Sequence, residues 1–506
     1  MINQPDLNAP QRQAPLGVAV LFIQNLRKAL NIFVAVVFVN FGSDFRILGL
    51  GYLELAYLIS AFFLVFSYLQ YRRFTFYIRG DNFIIEKGVL KQDKISVPFA
   101  RIQTVNSKQN IIQQLLGLVG LKIDTAGSVQ QEINIPALSK KYAIALQDYL
   151  MEKRFEQKQH LDEEFENAEE EQKEELREEK SQLLLKIGFP MLLKVGLSQN
   201  HLRSGLILFA IVNGYVWQYE EYLLRPIEPY LEETAASFVS SWLLLLPFAV
   251  LVFLVISVLS SLVSTILRYF NFKFYLSEQG LSMESGLLAR ITYQVPFSKI
   301  QYFKWEQNPL QAWLGYRSLR VKQAGAEALN DKKLISIPGL KARQIVFLLN
   351  QQYQDRRQGK YTHYDAHVLL RNQIVFWLAV LPSMVAIIIF IIQDFPWFFY
   401  LPVALYFGSI LLWAHKYWQS YRLRVNENYL ELYKGYLIPK RILIPAYKIQ
   451  NLSVNQSFLQ AQRGISTLVL HTAAGSERLR HLPHDRILEL YNYLLYKVEK
   501  SEGNWM

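Results

Sequence analysis

The chain contains no cysteine, which excludes disulfides and thiolate metal sites and suits a protein facing a reducing compartment. Phosphate-binding loops are missing too. Neither G-x-x-x-x-G-K-[ST] nor G-x-G-x-x-G occurs, so nucleotide hydrolysis and a Rossmann cofactor have no motif to rest on. There is also no G-x-S-x-G nucleophile elbow. Histidine is scarce, at 8 in 506 residues. His363 and His367 stand four apart in "HYDAH", yet the glutamate that a zincin helix places after its first histidine is not there. His481 and His484 flank Pro483, a position the other copies of the local pattern fill without histidine. No enzyme activity, metal or cofactor is therefore expected.

Charge is what the apolar segments lack. There are 22 uncharged residues at 372–393, 20 at 395–414 and 34 at 234–267, against the ~20 needed to cross a hydrocarbon core at about 1.5 Å each. Three weaker segments are 55–71, 204–219 and 29–43, with 17, 16 and 15 uncharged residues. For the last of these, Arg27 and Lys28 can snorkel while 16–25 lies along the surface. The first dozen residues are polar and no small-residue cleavage site follows, so no signal peptide is expected. Paired, the six spans make three hairpins at 21–69, 204–267 and 372–414.

The net charge of +12 is uneven, because 151–180 holds 13 acidic and 6 basic side chains. In a chain with long apolar runs, the basic excess elsewhere points to the inner face of a membrane rather than to nucleic acid, and no nucleic-acid partner is expected. The short connections inside the hairpins carry Asp44, Glu54, Glu220, Glu221, Glu228, Glu232, Glu233 and Asp394 against Arg46 and Arg225. The opposite flanks are rich in lysine and arginine, among them Arg72, Arg73, Arg268 and Lys273. The positive-inside rule then puts both termini and all three soluble segments in the cytoplasm of a multi-pass bacterial inner-membrane protein.

Those soluble segments repeat one another. "VPFARIQ" at 97–103 returns as "VPFSKIQ" at 295–301 and "IPAYKIQ" at 444–450. Aligned on Pro98, Pro296 and Pro445, the copies share Gly88, Gly286 and Gly435 ten residues before, and Gln109, Gln307 and Gln456 eleven after. Gly117, Gly315 and Gly464 follow at nineteen, and a second proline closes each unit. The resulting signature is Gly88, Pro98, Arg101, Ile102 and Gln103; Gly286, Pro296, Lys299, Ile300 and Gln301; Gly435, Pro445, Lys448, Ile449 and Gln450. "FTFYIRGDNFIIEKG" and its equivalents alternate around a turn as hairpins do. "KKYAIALQDYLMEK", "KARQIVFLLNQQY" and "DRILELYNYLLYKV" read as closing amphipathic helices. The predicted architecture is an α+β membrane protein in which each hairpin is followed by a small antiparallel barrel capped by a helix. Its segments are a tail at 1–20, hairpin 21–69, domain 72–155, acidic linker 156–200, hairpin 204–267, domain 270–358, hairpin 372–414 and domain 418–500.

The G-x9-[VI]-P-x-x-[RK]-I-Q core, the Leu-Gly pairs at 116–117 and 314–315, and the T-A-G or Q-A-G ending resemble the bacterial PH-like domain of the second type, formerly a domain of unknown function. Within it the likeness is to YdbT-like membrane proteins, which join several such domains to transmembrane hairpins. The third copy departs with Arg463 for the leucine and Ala446 for Phe99 and Phe297. The resemblance implies PH-like barrels, association with a smaller membrane protein bearing one such domain, and a role in envelope stress or tolerance of membrane-active peptides. It implies no reaction.

Within the motif, the proline suits a strand end, the isoleucine a core, the glutamine a backbone partner at the next turn, and the basic residue a partner surface. Phosphoinositide-binding PH domains carry lysine and arginine around the first hairpin turn, whereas "RGDN", "SEQG" and "NEN" are neutral or acidic. Arg72, Arg73, Lys91, Lys94, Arg268, Lys273, Arg290, Lys440 and Arg441 are the candidates for contact with anionic lipid. Ser257, Ser261 and Ser264 suit close helix packing better than a transport path. The expected function is a non-catalytic scaffold binding proteins or lipids, also as a homo-oligomer; the alternative is an accessory subunit of an exporter or channel.

Overall fold

Alternating bulky and polar residues become strands where the pattern predicts them, and one further strand joins each set. The computed structural model describes residues 9–27, 51–125, 133–163, 182–199, 201, 205–210, 242–278, 280–324, 335–353, 356 and 360–500. The first repeat contains β1 (Gln11–Arg12), β2 (Thr75–Arg79), β3 (Asn82–Lys87), β4 (Asp93–Pro98), β5 (Ile102–Gln109), β6 (Leu118–Thr125) and β7 (Ile133–Ser139). The second contains β8 (Gln182–Lys186), β9 (Lys273–Leu276), β10 (Gly280–Ser285), β11 (Arg290–Pro296), β12 (Ile300–Glu306), β13 (Arg317–Gln323) and β14 (Ile335–Leu340). The third contains β15 (Thr362–Asp365), β16 (Arg422–Val425), β17 (Tyr429–Lys434), β18 (Lys440–Pro445), β19 (Ile449–Asn455), β20 (Ile465–Thr472) and β21 (Gly475–Pro483).

The first strand of each set precedes the membrane segment and the second follows it. They pair antiparallel, β1 with β2, β8 with β9 and β15 with β16. The membrane segment is thus an insertion between the first two strands of a repeat. β8 falls in the stretch expected to be an acidic linker, and β15 carries His363.

The helices are α1 (Gly17–Arg27), then α2 (Tyr52–Arg73), α3 (Ile111–Leu115), α4 (Lys140–Glu163), α5 (Phe189–Leu197), α6 (Trp242–Tyr269), α7 (Pro309–Trp313) and α8 (Ala342–Gln352). They continue with α9 (Leu369–Ile392), α10 (Tyr400–Ser420), α11 (Phe458–Gln462) and α12 (His484–Lys500). Among the described residues, four helices are long and apolar enough to cross a membrane, at Glu54–Arg73, Val250–Tyr269, Leu369–Ile392 and Trp397–Ser420. The spans expected at 29–43 and 204–219 lie wholly or largely outside the described residues, as does most of the acidic stretch.

Two compact units result, Met1–Lys186 with Leu267–Gln294 and Ile187–Ile266 with Val295–Met506. The first contains the sheet β1-β2-β3-β4 and the seven-stranded sheet β7-β6-β5-β11-β10-β9-β8. Its core joins Phe76, Phe83, Ile85 and Val97 from the first sheet to Val105, Leu121, Ile123, Ile133 and Ile135 from the second. Ala143, Leu146 and Leu150 of α4 close it along one helical stripe. The second unit contains the sheet β14-β13-β12-β18-β17-β16-β15 and the sheet β19-β20-β21. Leu423, Leu432, Ile442, Ile444, Leu468, Leu470 and Leu479 fill its third-repeat core, capped by Ile487, Leu490 and Leu494 of α12.

Short helices tie the sheets to the spans. In the first unit Val20 of α1 packs with Leu118 and Ala137, while Asn25 Nδ2 donates to Ser67 Oγ and Gln70 Oε1 of α2, both at 2.9 Å. In the second, Tyr316 Oη donates to the Lys194 carbonyl of α5 at 3.2 Å, and Ser261 Oγ of α6 to the Gly196 carbonyl at 3.4 Å. The packed polar face of α6 runs through buried Ser257, Ser261 and Thr265. Ser264, expected on that face, is exposed, because a spacing of four rather than three follows the stripe. In α9, Pro382 has no N–H to offer the Leu378 carbonyl; a π-helical turn forms over Phe376–Val380 and Tyr406 Oη donates to that carbonyl at 2.5 Å.

The signature glycines hold the β3–β4, β10–β11 and β17–β18 turns. Gly88, Gly286 and Gly435 have φ of 112°, 111° and 95°, and a Cβ would collide with the carbonyl oxygens of Lys91, Ala289 and Ile438. Gly286→Ala is expected to cost about 1–3 kcal/mol, seen as a lowered melting temperature in detergent. Gly117→Ala, with φ of 66° but open space around it, costs only about 1 kcal/mol.

His481 gives a pH dependence. It is buried, at φ 58°, and its carbonyl accepts from His367 N at 2.7 Å. Burial first, then the charge of Arg480 and then His367, hold its pKa below the ordinary 6.5. Below pH ~6.5 the unfolded chain therefore takes up the proton more readily than the folded one. Stability is expected to be full above that value and to fall as pH drops towards the lowered folded pKa. His481→Asn, which tolerates positive φ, should flatten this part of a melting-temperature profile.

Candidate functional site

The repeated motif builds a joint between consecutive repeats. Pro98, Pro296 and Pro445 end a strand and open a 3-10 turn, with φ of -60°, -64° and -67°. Ile102, Ile300 and Ile449 are each 1% exposed. The strand that follows, β5 in the first repeat and β12 in the second, pairs at its outer edge with the fourth strand of the next repeat.

In the first unit Gln109, Lys108 and Ser107 face Arg290, Ile291 and Thr292 of β11. In the second, Phe303, Lys304, Trp305 and Glu306 face Leu443, Ile442, Arg441 and Lys440 of β18. Both joints have one register: the residue eleven after one proline meets the residue six before the next, Gln109 with Arg290 and, through Gln307 N to the Pro439 carbonyl at 3.2 Å, Gln307 with Pro439.

Side chains lock the second joint. Lys448, the basic member of the third motif, is 2% exposed and donates Nζ to the Ser298 carbonyl of the second motif at 2.6 Å. Burial pushes its ammonium below the usual lysine value. Tyr302 enters the third-repeat core, and the Tyr353 ring packs tilted against that of Tyr429, with centroids 5.2 Å apart. Lys304 Nζ lies 3.7 Å from Glu477, which also holds Lys434 at 3.0 Å. Desolvation lowers the pKa of Lys304 and Glu477 opposes that shift. At the first joint, Gln294 N donates to Asn106 Oδ1 at 3.0 Å and Gln114 Nε2 to the Leu288 carbonyl at 2.8 Å. Lys299 is also buried, whereas Arg101 is exposed.

The glutamine inside the motif has no common job. Gln301 is fully buried, Gln450 is exposed, and the side chain of Gln103 is outside the described residues. The backbone satisfaction expected of it is done by Gln109, Gln307 and Gln456, whose Nε2 atoms donate to the carbonyls of Leu118, Tyr316 and Ile465 at 2.7, 3.0 and 2.9 Å. A second set, Gln113, Gln311 and Gln460, closes capping boxes with Asn110, Asn308 and Ser457. The N-x-x-Q and S-x-x-Q spacing before a short apolar run was the available signal.

The basic candidates surround a second recurring feature. Register places the end of β3 beside the start of β2, Glu86 opposite Thr75, two residues after α2 ends at Arg73. Glu284 faces Lys273 and Tyr433 faces Arg422 in the same way, so each glycine turn lies level with the end of a span. In the first unit Gly286 N and Leu287 N donate to the carbonyls of Phe270 and Leu267, both at 3.0 Å.

These turns expose apolar side chains: Leu90 at 98%, Leu287 and Leu288, and Tyr436, Leu437 and Ile438. The adjoining short helices add Leu115, Trp313 and Phe458. Arg72, Arg73, Lys91, Lys94, Arg268, Arg290 and Arg441 are exposed around them, and Lys273 and Lys440 are half-buried. Lys94 Nζ donates to Tyr77 Oη at 3.0 Å and pairs with Glu86 at 2.9 Å. The Tyr77 bond, then Glu86, raises the pKa of Lys94; the hydrogen bond from Lys94, then Tyr77, lowers that of Glu86. Sequence reasoning found the charges but not the apolar tips between them.

The histidines act locally. His367 Nδ1 accepts from Leu369 N at 3.2 Å, and His484 Nδ1 lies 2.6 Å from Ser466 Oγ. Among the described residues no three His, Asp or Glu side chains gather as metal ligands.

The bacterial PH domain family model matches residues 32–154, 231–356 and 373–498. Each match begins before a barrel and ends in or just after its capping helix, so the matched unit includes membrane segment as well as barrel. The UPF0699 transmembrane protein YdbT of Bacillus subtilis (strain 168) is 25% identical over 520 aligned residues, spanning 98% of this chain and 100% of that protein. With three matches that together cover most of its length, the chain belongs to the bacterial PH domain family, as a transmembrane protein with three such domains.

Proposed function

We propose that the protein is a non-catalytic, multi-pass scaffold of the bacterial inner membrane, with both termini and all three PH-like domains in the cytoplasm. Its barrels rest on the inner leaflet through the apolar tips and their basic surroundings. One observation carries the reading: exposed Leu90, Leu287–Leu288 and Tyr436–Ile438 recur at the span ends with lysine and arginine around them. Apolar side chains at that level exchange water for the headgroup boundary, and each nearby cation gains about 1 kcal/mol from an anionic leaflet. The surfaces above the tips are left for proteins, including a smaller membrane protein with a single PH-like domain, in envelope stress or tolerance of membrane-active peptides. An exporter or channel subunit has less support, because the buried hydroxyls of α6 are engaged in helix packing.

The cysteine-free chain makes a direct test available. Leu288→Cys, labelled with an environment-sensitive fluorophore in vesicles of phosphatidylglycerol and phosphatidylcholine, is expected to be quenched by lipids brominated along the acyl chain. Ser476→Cys, on the third barrel, is the comparison and is expected to stay unquenched. Equal quenching at both positions contradicts the leaflet contact. In intact cells an impermeant maleimide is expected to label Asp394→Cys and to spare Ser476→Cys; the reverse pattern contradicts the cytoplasmic orientation.

A further inference from the structure

Among the described residues, two edges of the joint system have no partner strand. In the first repeat β4 ends its sheet, although its equivalents β11 and β18 are paired outward with the preceding repeat. In the third repeat β19 ends its sheet, although its equivalents β5 and β12 are paired outward with the following one. Among the described residues there is thus one unfilled acceptor edge and one unfilled donor edge of a joint made twice internally.

The side chains mark the same asymmetry. Two residues before the proline, Leu443 is 0% exposed in the joint while the aligned Ser96 is exposed. Six after it, Thr104 and Tyr302 are buried while Asn451 is exposed. Lys448 reaches the previous motif's carbonyl, while Arg101, at the same place in the first motif, is exposed. Charge on β4 is no barrier, since β11 and β18 carry Arg290 and Lys440–Arg441 at matching places and still pair.

We infer that β19 of one molecule pairs antiparallel with β4 of a second copy of this chain, extending the same head-to-tail joint between molecules. The shared register fixes the partners: Asn455 meets Asp93, Ser453 meets Ile95, and Arg101 approaches the Tyr447 carbonyl. Because the two edges differ, the contact is heterologous and propagates to a ring or a row in the membrane plane. A second copy is the occupant because the chain itself supplies both complementary edges and the internal joints show how they fit. The inference rests on the scaffold reading, yet it concerns the strand edges, so the lipid quenching at Leu288 is unaffected by its failure.

The test uses two differently tagged full-length chains, one with Asn455→Cys and one with Asp93→Cys, co-expressed in membranes and mildly oxidised. A disulfide-linked heterodimer is expected for this pair, and none for Asn455→Cys with Lys91→Cys, which is out of register. A chain carrying both cysteines should form a ladder of oligomers. Adding Ser96→Pro, which removes an outward N–H from the edge, should reduce the heterodimer to the single-cysteine background with the melting temperature unchanged.

Absence of the heterodimer, equal linking by the out-of-register pair, or closure of both cysteines within one chain would each overturn the inference. A PH-like partner of another kind occupying β4 would also leave the two chains unlinked and so overturn it. If Ser96→Pro lowers the melting temperature, Arg101→Glu is the second edge variant, and it must reduce linking for the inference to stand.

Discussion

Everything above the membrane depends on edge pairing between consecutive repeats. A small barrel leaves a strand with unpaired N–H and C=O groups, which is a liability unless it is covered. Here β5 is covered by β11 and β12 by β18, so the edge of one repeat is satisfied by the next. The joined sheet changes function along its width. Ile442 and Ile444 point into the third-repeat core, while Leu443, between them, is buried outside it opposite Phe303. Period-two alternation lets a single strand serve its own barrel with one face and its neighbour with the other.

The membrane imposes the second constraint. Since the membrane segment is inserted between the first two strands of a repeat, its two ends are held together by β1–β2, β8–β9 or β15–β16 pairing. That fixes the glycine turns beside the span ends, where runs such as Tyr436–Ile438 are exposed. Glycine geometry, apolar tip and basic surround are one device, repeated with the domain.

Much of this was legible. The motif spacing gave the threefold repeat, alternation gave the strands, and stripes such as Ala143, Leu146 and Leu150 gave the capping helices. The strands before the spans were not legible, because Gln11–Arg12 is 2 residues long, too short for period two to register, and the run of leucines in Gln182–Lys186 does not alternate. Nor was the job of the motif's basic residue, whose environment is made by another repeat: Lys448 is buried against Ser298 while Arg101, at the same place in the first motif, is exposed. A local sequence pattern records what a residue is next to in the chain, and the joint is made of residues some 150–190 positions apart, as for Lys448 with Ser298 and Asn106 with Gln294.

Residue-resolved amide exchange in monomeric, detergent-solubilised protein tests the joint most directly. Since the Pro439 carbonyl faces β12, alternation turns the N–H groups of Arg441 and Leu443 the same way, with Thr292 as their equivalent in β11 and Lys94 and Ser96 in β4. The account predicts slow exchange at Thr292, Arg441 and Leu443 and fast exchange at Lys94 and Ser96. Exchange at Thr292 and Arg441 as fast as at Lys94 would mean that the repeats are separate barrels, and would contradict it.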